Sequence, residues 1–173
     1  MKFEGTVWRH IPKGAHPLHI GYILRASGRW NRAGLYGALY TSLSMGGALA
    51  ELKKNCLISG ITMGDLAPRD LVSIEVKCDP VFALTRPASR RKVDITLKQL
   101  RNDSPESIEQ CRIIADWSRQ QGYRAILTPS AAQKEAQNSI IFFEGPAEQL
   151  ELDEGGKRFP VNYSGKALLD VLD

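Results

Sequence analysis

Alternation between apolar and polar side chains divides much of the chain into short strands, because a half-buried strand turns every second residue to the core. The alternation is clearest at residues 71–77, where Val72, Ile74 and Val76 are separated by Ser73 and Glu75. Aromatic and β-branched residues or short apolar runs predict further strands, which are residues 3–10, 35–42, 80–84, 123–128 and 140–143. The last of these is a continuous apolar run, which is typical of a strand covered on both faces.

Helical spacing of apolar residues first appears after Ser44. Met45, Ala48, Leu49 and Leu52 recur every three or four positions, and the Ser44 hydroxyl is suited to accept an early backbone N–H as an N-cap. We expect this helix to end near Asn55 and residues 55–70 to have little regular structure.

A second helix is predicted at residues 104–121. Ser104 is a suitable N-cap, Pro105 suits the first helical position, and Gly122 can close the helix. Between the two helices, residues 93–100 fit either a strand or a short helix. Residues 86–92 are basic and are predicted to be a solvated loop, with docking of an acidic partner as the alternative.

Near the end of the chain, residues 150–154 and 157–163 flank Gly155-Gly156, which predicts a hairpin, and residues 165–172 predict a short terminal helix. Strands and helices are therefore mixed, with antiparallel strand pairing. No repeat, linker or low-complexity segment divides the 173 residues, so we expect one domain over 1–173.

Composition narrows the class of protein. No apolar run reaches the ~20 residues that span a bilayer, and residues 1–10 lack a hydrophobic signal segment, so a cytoplasmic protein without membrane contact is expected. Three widely spaced cysteines fit a reducing compartment. The net charge of +4 suits an anionic ligand or an acidic partner but is too small for a typical nucleic-acid-binding protein. His16 and His19 have no further ligands nearby in the sequence, so no metal site is predicted.

The densest group of candidate functional residues lies at positions 27–51. Arg29, Tyr40 and Glu51 follow one another at intervals of eleven residues, with Tyr40 on a predicted strand and Glu51 about two turns into the first helix. On spacing alone, a solvated glutamate and a half-buried tyrosine are the better explanation, because such patterns are common in ordinary domains. No glycine-rich dinucleotide loop is present, because Gly46-Gly47 lacks that motif's spacing and context.

The pattern as a whole resembles the RES domain family, which is named for its arginine, glutamate and serine. The resemblance covers roughly residues 6–145 and rests on these segments: Trp8-Arg9, Gly28-Arg29-Trp30-Asn31, Gly34, Ala38-Leu39-Tyr40-Thr41-Ser42, Ala48-Leu49-Ala50-Glu51, Thr128-Pro129-Ser130, Asn138 and the strand 140–143. It implies an α+β fold like that of ADP-ribosyltransferases, with split antiparallel β-sheets and flanking helices. It also implies a toxin that consumes NAD+ as a substrate, with no cofactor, and that is paired with an Xre-type antitoxin.

Cleavage of NAD+ at the nicotinamide–ribose bond gives an oxocarbenium-like ribose, which a carboxylate stabilises. The resemblance assigns this role to Glu51, the aromatic face to Tyr40, and pyrophosphate binding to Arg29 and Arg9. It assigns further nucleotide contacts to Ser130 and Asn138, and less firmly to Thr41 and Ser42. Water, phosphate or a protein side chain remain alternative acceptors of the ADP-ribose.

The same resemblance implies how the protein assembles with its antitoxin. We expect a segment of the antitoxin to enter the cleft and meet Arg9 or Arg29, and nucleic acid to be bound only through the antitoxin. A homodimer within the complex is allowed. The alternative from a different class is a catalytically silent binding module that uses Arg86, Arg90 and Arg91 to contact an acidic partner.

Overall fold

Eight strands form one sheet in the part of the chain that the structure, a computed structural model, describes: residues 1–16, 18, 23 and 25–143, and the backbone of 152–153 and 158–161. The strands are β1 (Phe3–Pro12), β2 (Gly37–Ser42), β3 (Arg69–Cys78), β4 (Val81–Ala83), β5 (Ala125–Pro129), β6 (Gln137–Phe143), β7 (Leu152–Asp153) and β8 (Arg158–Val161). Their order is β4-β5-β6-β2-β1-β3-β7, and β8 also pairs with β3.

The sheet is divided between β1 and β2. Strand β1 pairs with β3 through ten residues and β2 pairs with β6 through six, but among the described residues β1 and β2 are paired only at Trp8 and Ser42. The predicted α+β fold with a split sheet is therefore confirmed. The pairing is antiparallel except between β4 and β5, which run parallel.

Four helices and one short 3-10 helix (Met63–Asp65) lie in the described part of the chain. The helices are α1 (Met45–Ile58), α2 (Pro87–Lys92), α3 (Leu97–Arg101) and α4 (Pro105–Gln120). The predicted N-caps are confirmed, because the Ser44 hydroxyl accepts from the Gly47 N–H and the Ser104 hydroxyl accepts from the Ser107 N–H. No helix among the described residues is long and apolar enough to cross a membrane.

Apolar side chains form separate clusters on the elements that surround the sheet. One cluster packs α4 against β5 and β6 and includes Ile114, Ile126 and Ile140. Another contains Val7, Leu39 and Ile141 from the other face of the sheet. A third holds α1 against the sheet through Leu49, Leu52 and Leu71. Because α1 has its own apolar contacts, its polar face is held in a fixed position.

Several predicted elements need correction. Residues 86–92 are not a loop, since Pro87 begins the helix α2 and Arg90 donates to the carbonyls of Leu84 and Thr85. Helix α1 continues beyond Asn55 to Ile58. Of residues 93–100, only the last four are helical: they form the N-terminal part of α3, which begins at Leu97 after the N-cap Thr96.

The predicted hairpin near the end of the chain is not formed by the described strands. Both β7 and β8 pair antiparallel with β3, along the edge opposite β1, so they follow each other along β3 and do not pair with one another. The turn at Gly155-Gly156 and the terminal helix predicted at 165–172 lie outside the described residues.

Candidate active site

A cleft of about 540 Å³ opens where the sheet divides. Its walls come from β1, β2 and α1, from the loop before β2, from the segment between α3 and α4, and from the ends of β5 and β6. Seven of the eight predicted site residues line it, namely Arg9, Arg29, Tyr40, Thr41, Ser42, Glu51 and Asn138. The eighth, Ser130, lies directly behind Glu51.

Glu51 is held by two side chains that are far away in the sequence. The Ser130 hydroxyl donates to Glu51 Oε1 at 2.7 Å, and Asn138 Nδ2 donates to the same oxygen at 2.6 Å. Within the described part of the chain, Oε2 receives no hydrogen bond, and Glu51 is only half-buried. The carboxylate therefore has one oxygen fixed by the protein, while the other receives no hydrogen bond from the described residues, and the residue lines the cleft.

Ser130 uses all of its hydrogen-bonding capacity at this point. Its hydroxyl proton goes to Glu51, while its oxygen accepts from the N–H groups of Ala132 at 3.0 Å and Gln133 at 3.2 Å. A hydroxyl has one donor and two acceptor positions. The geometry therefore makes Ser130 a residue that positions Glu51.

Tyr40 presents its ring to the cleft and buries its hydroxyl. The hydroxyl accepts from the Trp30 N–H at 2.8 Å and donates to Asn31 Oδ1 at 3.0 Å, whereas the residue as a whole is 39% exposed. Burial of the hydroxyl raises the pKa of Tyr40 above its usual range, although the Trp30 N–H acts in the opposite direction. Tyr40 is therefore a neutral, fixed aromatic surface, suited to stacking on a flat ring.

Arg29 lines the cleft, and both of its Nη atoms have partners within the protein. Nη1 donates to the carbonyls of Leu100 at 3.3 Å and Asn102 at 2.9 Å, and Nη2 forms an ion pair with Asp103. The same Asp103 oxygen accepts from Lys54 Nζ at 2.8 Å. The sequence argument found Arg29 but not Lys54 or Asp103, although Lys54 follows Glu51 by three residues and so shares its helix face.

Arg9 and His10 occupy the β1 wall of the cleft. Arg9 is 5% exposed and donates from Nη1 to the Leu18 carbonyl at 2.9 Å. His10, which the sequence argument placed at the end of the first strand, accepts from Arg69 Nε at its Nδ1, at 2.9 Å. Burial and the positive charges of Arg69 and Arg9 lower the pKa of His10 to about 3, so its ring is neutral at physiological pH.

Thr41 and Ser42 bond to the neighbouring strand β6. The Thr41 hydroxyl donates to the Ser139 carbonyl at 2.8 Å, and the Ser42 hydroxyl donates to the Gln137 carbonyl at 3.2 Å. Both residues are buried. Their hydroxyl protons therefore hold β2 against β6. No group of three His, Cys, Asp or Glu side chains among the described residues could hold a metal ion, and the three cysteines are free and buried.

The split α+β sheet thus brings a carboxylate, an aromatic face and cationic side chains together around one cleft. The family model described as the RES domain matches residues 6–162, and the chain belongs to this family. The resemblance inferred from residues 6–145 is thus confirmed.

Comparison of structures supports the fold. The chain superposes on a protein of the M. tuberculosis MbcT–MbcA toxin–antitoxin complex with a TM-score of 0.79 at 18% sequence identity, covering 98% of this chain and 90% of the other. At this identity the likeness is one of fold. No curated protein sequence matches the chain significantly.

Proposed function

We propose that the protein is the toxin of a toxin–antitoxin pair and that it degrades NAD+ by cleaving the nicotinamide–ribose bond. The observation that carries this proposal is the state of Glu51, which lines the cleft, with its Oε1 fixed by Ser130 and Asn138 and its Oε2 without a hydrogen bond from the described residues. A carboxylate fixed in this way can stabilise charge that develops in a transition state without having to reorganise.

The proposed reaction breaks the bond between the anomeric carbon of the ribose and the nicotinamide nitrogen. Both bonding electrons leave with nicotinamide, which departs as a neutral molecule, and the ribose becomes cationic. Glu51 Oε2 stabilises this cation and orients the ribose hydroxyls, while the exposed face of Tyr40 holds the nicotinamide ring flat. Because the leaving group is neutral, no general acid is required.

Arg9 and Arg29 are assigned to the pyrophosphate in this proposal. Both guanidinium groups line the cleft and are anchored by backbone carbonyls, so their positions are set before the substrate arrives. Guanidinium groups bind phosphate oxygens through directional, charge-assisted hydrogen bonds.

The acceptor of the ADP-ribose is proposed to be small, either water or inorganic phosphate. The cleft of about 540 Å³ is of the size that takes a small-molecule ligand. Comparing the products formed with and without phosphate separates hydrolysis from phosphorolysis. Transfer of label from tagged NAD+ to a cellular protein would instead establish an ADP-ribosyltransferase.

The alternative of a silent binding module has less support. Of its three proposed contact residues, Arg90 is turned towards the Leu84 and Thr85 carbonyls of its own chain. Arg91, on the six-residue helix α2, and Arg86, its N-cap, are exposed, but neither lines the cleft.

Glu51→Gln tests the proposed reaction, because glutamine keeps the size of the side chain and removes its charge. Nicotinamide release from NAD+ is expected to fall by about a hundredfold or more, which corresponds to roughly 3 kcal/mol of transition-state stabilisation. Glu135→Gln, which removes an exposed carboxylate outside the cleft lining, is the matched control and should retain the parent rate. A Glu51→Gln protein that melts like the parent and releases nicotinamide at the parent rate would refute the proposal.

The partner is proposed to be an Xre-type antitoxin that blocks the cleft. The support is the fold shared with a protein of a toxin–antitoxin complex, together with two cationic side chains, Arg9 and Arg29, at the cleft wall. A carboxylate of the partner, from a side chain or its C-terminus, would occupy the donors that the pyrophosphate needs. The partner is therefore expected to raise the apparent Kd for NAD+, and an unchanged Kd in the saturated complex would exclude the blocking mechanism.

A further inference from the structure

One carboxylate oxygen joins two cationic side chains at the edge of the cleft. Asp103 Oδ1 accepts from Lys54 Nζ at 2.8 Å and from Arg29 Nη2 in a shorter contact. Lys54 projects from α1, Arg29 from the loop before β2, and Asp103 from the connection between α3 and α4. Three segments therefore meet at a single negatively charged atom, and all three residues line the cleft.

The two cations are anchored independently of Asp103. Arg29 Nη1 donates to the carbonyls of Leu100 and Asn102, and Lys54 Nζ also donates to the Ala131 carbonyl at 3.3 Å. Only 14% of the Arg29 side chain and 18% of the Lys54 side chain are exposed. Both positive charges therefore keep their places if the carboxylate moves away.

Asp103 itself is less constrained. Its side chain is 47% exposed, and it lies on a short connection between the C-cap Asn102 of α3 and the N-cap Ser104 of α4. Ion pairs at such exposed positions contribute little net stability. The N-terminus of the sixteen-residue helix α4 is also close by, and its partial positive charge favours an anion at this point.

We propose that Lys54 and Arg29 form a phosphoryl-binding subsite and that Asp103 is its displaceable counter-anion. In the free protein the Asp103 carboxylate occupies the position that a phosphoryl oxygen takes when ligand binds. The phosphoryl group belongs either to the pyrophosphate of a dinucleotide or to free inorganic phosphate. The dinucleotide source rests on the proposed function.

Binding of NAD+ tests the first source. It is measured by calorimetry in phosphate-free buffer, in the Glu51→Gln background so that the ligand is not consumed. Asp103→Asn should lower the Kd about threefold to tenfold, because it removes a competing anion, whereas Lys54→Gln should raise the Kd about tenfold. Lys54→Arg retains the positive charge and should restore most of the affinity.

Matched controls separate the subsite from a general change of charge. Lys53→Gln removes an exposed cation one position away on α1, and Glu135→Gln removes an exposed anion. Neither residue lines the cleft, so both variants should leave the Kd unchanged. In the Lys54→Gln background, Asp103→Asn should lower the Kd for NAD+ by a smaller factor than it does alone. Without Lys54, the Asp103 carboxylate neutralises one cation fewer.

Titration with sodium phosphate, followed by ³¹P NMR, tests the second source without any dinucleotide. If Asp103→Asn binds phosphate more tightly and its Kd for NAD+ is unchanged, the subsite belongs to inorganic phosphate. If it binds NAD+ more tightly and its Kd for phosphate is unchanged, the subsite belongs to the pyrophosphate. If NAD+ does not bind but phosphate binding responds to both variants, the proposed function fails and the subsite stands. The subsite is overturned if Asp103→Asn tightens neither ligand, including the case in which neither ligand binds at all.

Discussion

Gly28→Ala offers a sharp test of how the Tyr40 side of the cleft is built. A Cβ atom at position 28 would lie 2.2 Å from the Tyr40 hydroxyl oxygen and 2.7 Å from the ring carbon that carries it. The backbone of Gly28 is not in the left-handed region, so alanine is strained here by contact and not by its φ angle.

Neither side of this contact can move freely. The Gly28 N–H donates to the Asn31 carbonyl at 3.2 Å, and the Gly28 carbonyl accepts from Arg112 Nε at 2.8 Å. On the other side, the Tyr40 hydroxyl is bonded to the Trp30 N–H and to Asn31 Oδ1. The added methyl group must therefore break hydrogen bonds on one side or the other.

The cost follows from these contacts. Leaving a buried donor such as the Trp30 N–H unpaired costs about 1–3 kcal/mol, and overpacking adds about 1–3 kcal/mol. For a chain of this length, a total of roughly 2–6 kcal/mol lowers the Tm by about 4–24 °C. Because the Tyr40 ring must also tilt, the KM for NAD+ is expected to rise about tenfold, in line with the loss of a stacking contact.

Thermal unfolding followed by circular dichroism measures the first effect, and the concentration dependence of nicotinamide release measures the second. Gly64→Ala is the matched control, because a Cβ there meets only the Thr62 hydroxyl oxygen, at an ordinary 3.6 Å. Its Tm should stay close to that of the parent. If Gly28→Ala also melts and turns over like the parent, the contact with Tyr40 does not constrain the site and the reasoning is wrong.

Two further predictions concern Ser130, which lies behind Glu51, and His10, which stands in the β1 wall of the cleft. Ser130→Ala removes the donor to Glu51 and the acceptor of two N–H groups. It should therefore lower kcat about tenfold and the free energy of unfolding by about 1–3 kcal/mol. An unchanged kcat would exclude the positioning role of Ser130. His10, with its pKa lowered to about 3 in the folded protein, binds a proton less readily than in the unfolded chain, where the pKa is near 6.5. The contribution of neutral His10 to the free energy of unfolding is therefore complete above about pH 6.5 and is lost as the pH falls towards 3. In urea unfolding, His10→Gln should reduce this loss of stability by on the order of 4 kcal/mol. If the free energy of unfolding depends on pH in the same way in the parent and in His10→Gln, His10 is not the cause of the loss of stability at low pH.

Local features of the sequence were enough to locate most elements. The N-caps at Ser44 and Ser104 depend on side chains within three residues, and both helices begin where these residues place them. The meeting of Glu51 with Ser130 and Asn138 has a different origin, because these residues are 79 and 87 positions away in the chain. Their contact depends on β5, β6 and β2 lying side by side, an order that the residue pattern does not contain. The family resemblance assigned Ser130 and Asn138 to the nucleotide and did not predict their contact with Glu51.

The parts that sequence reasoning missed are those in which polar residues act on distant partners. Asp103 lies in a polar connection that looks like an ordinary solvated turn, and only the fold brings it to Arg29 and Lys54. The basic run at 86–92 was interpreted as a loop because of its charge. Its helix begins at Pro87 and is supported by Arg90 bonding to carbonyls that precede it, a contact that charge counting does not reveal.

The division of the sheet and the placement of Glu51 meet at the start of α1. Beyond the Trp8–Ser42 pair the strands β1 and β2 separate, and the first turn of α1 packs directly against β2 at this point. A Cβ on Gly47 would lie 2.1 Å from the Ser42 hydroxyl oxygen and 3.1 Å from Ala136 Cβ, so this approach requires glycine. Since Glu51 follows one helical turn later, any displacement of α1 from β2 would also withdraw the carboxylate from Ser130 and Asn138. The same close contact that seats the helix beside the split in the sheet therefore sets the position of the carboxylate over the cleft.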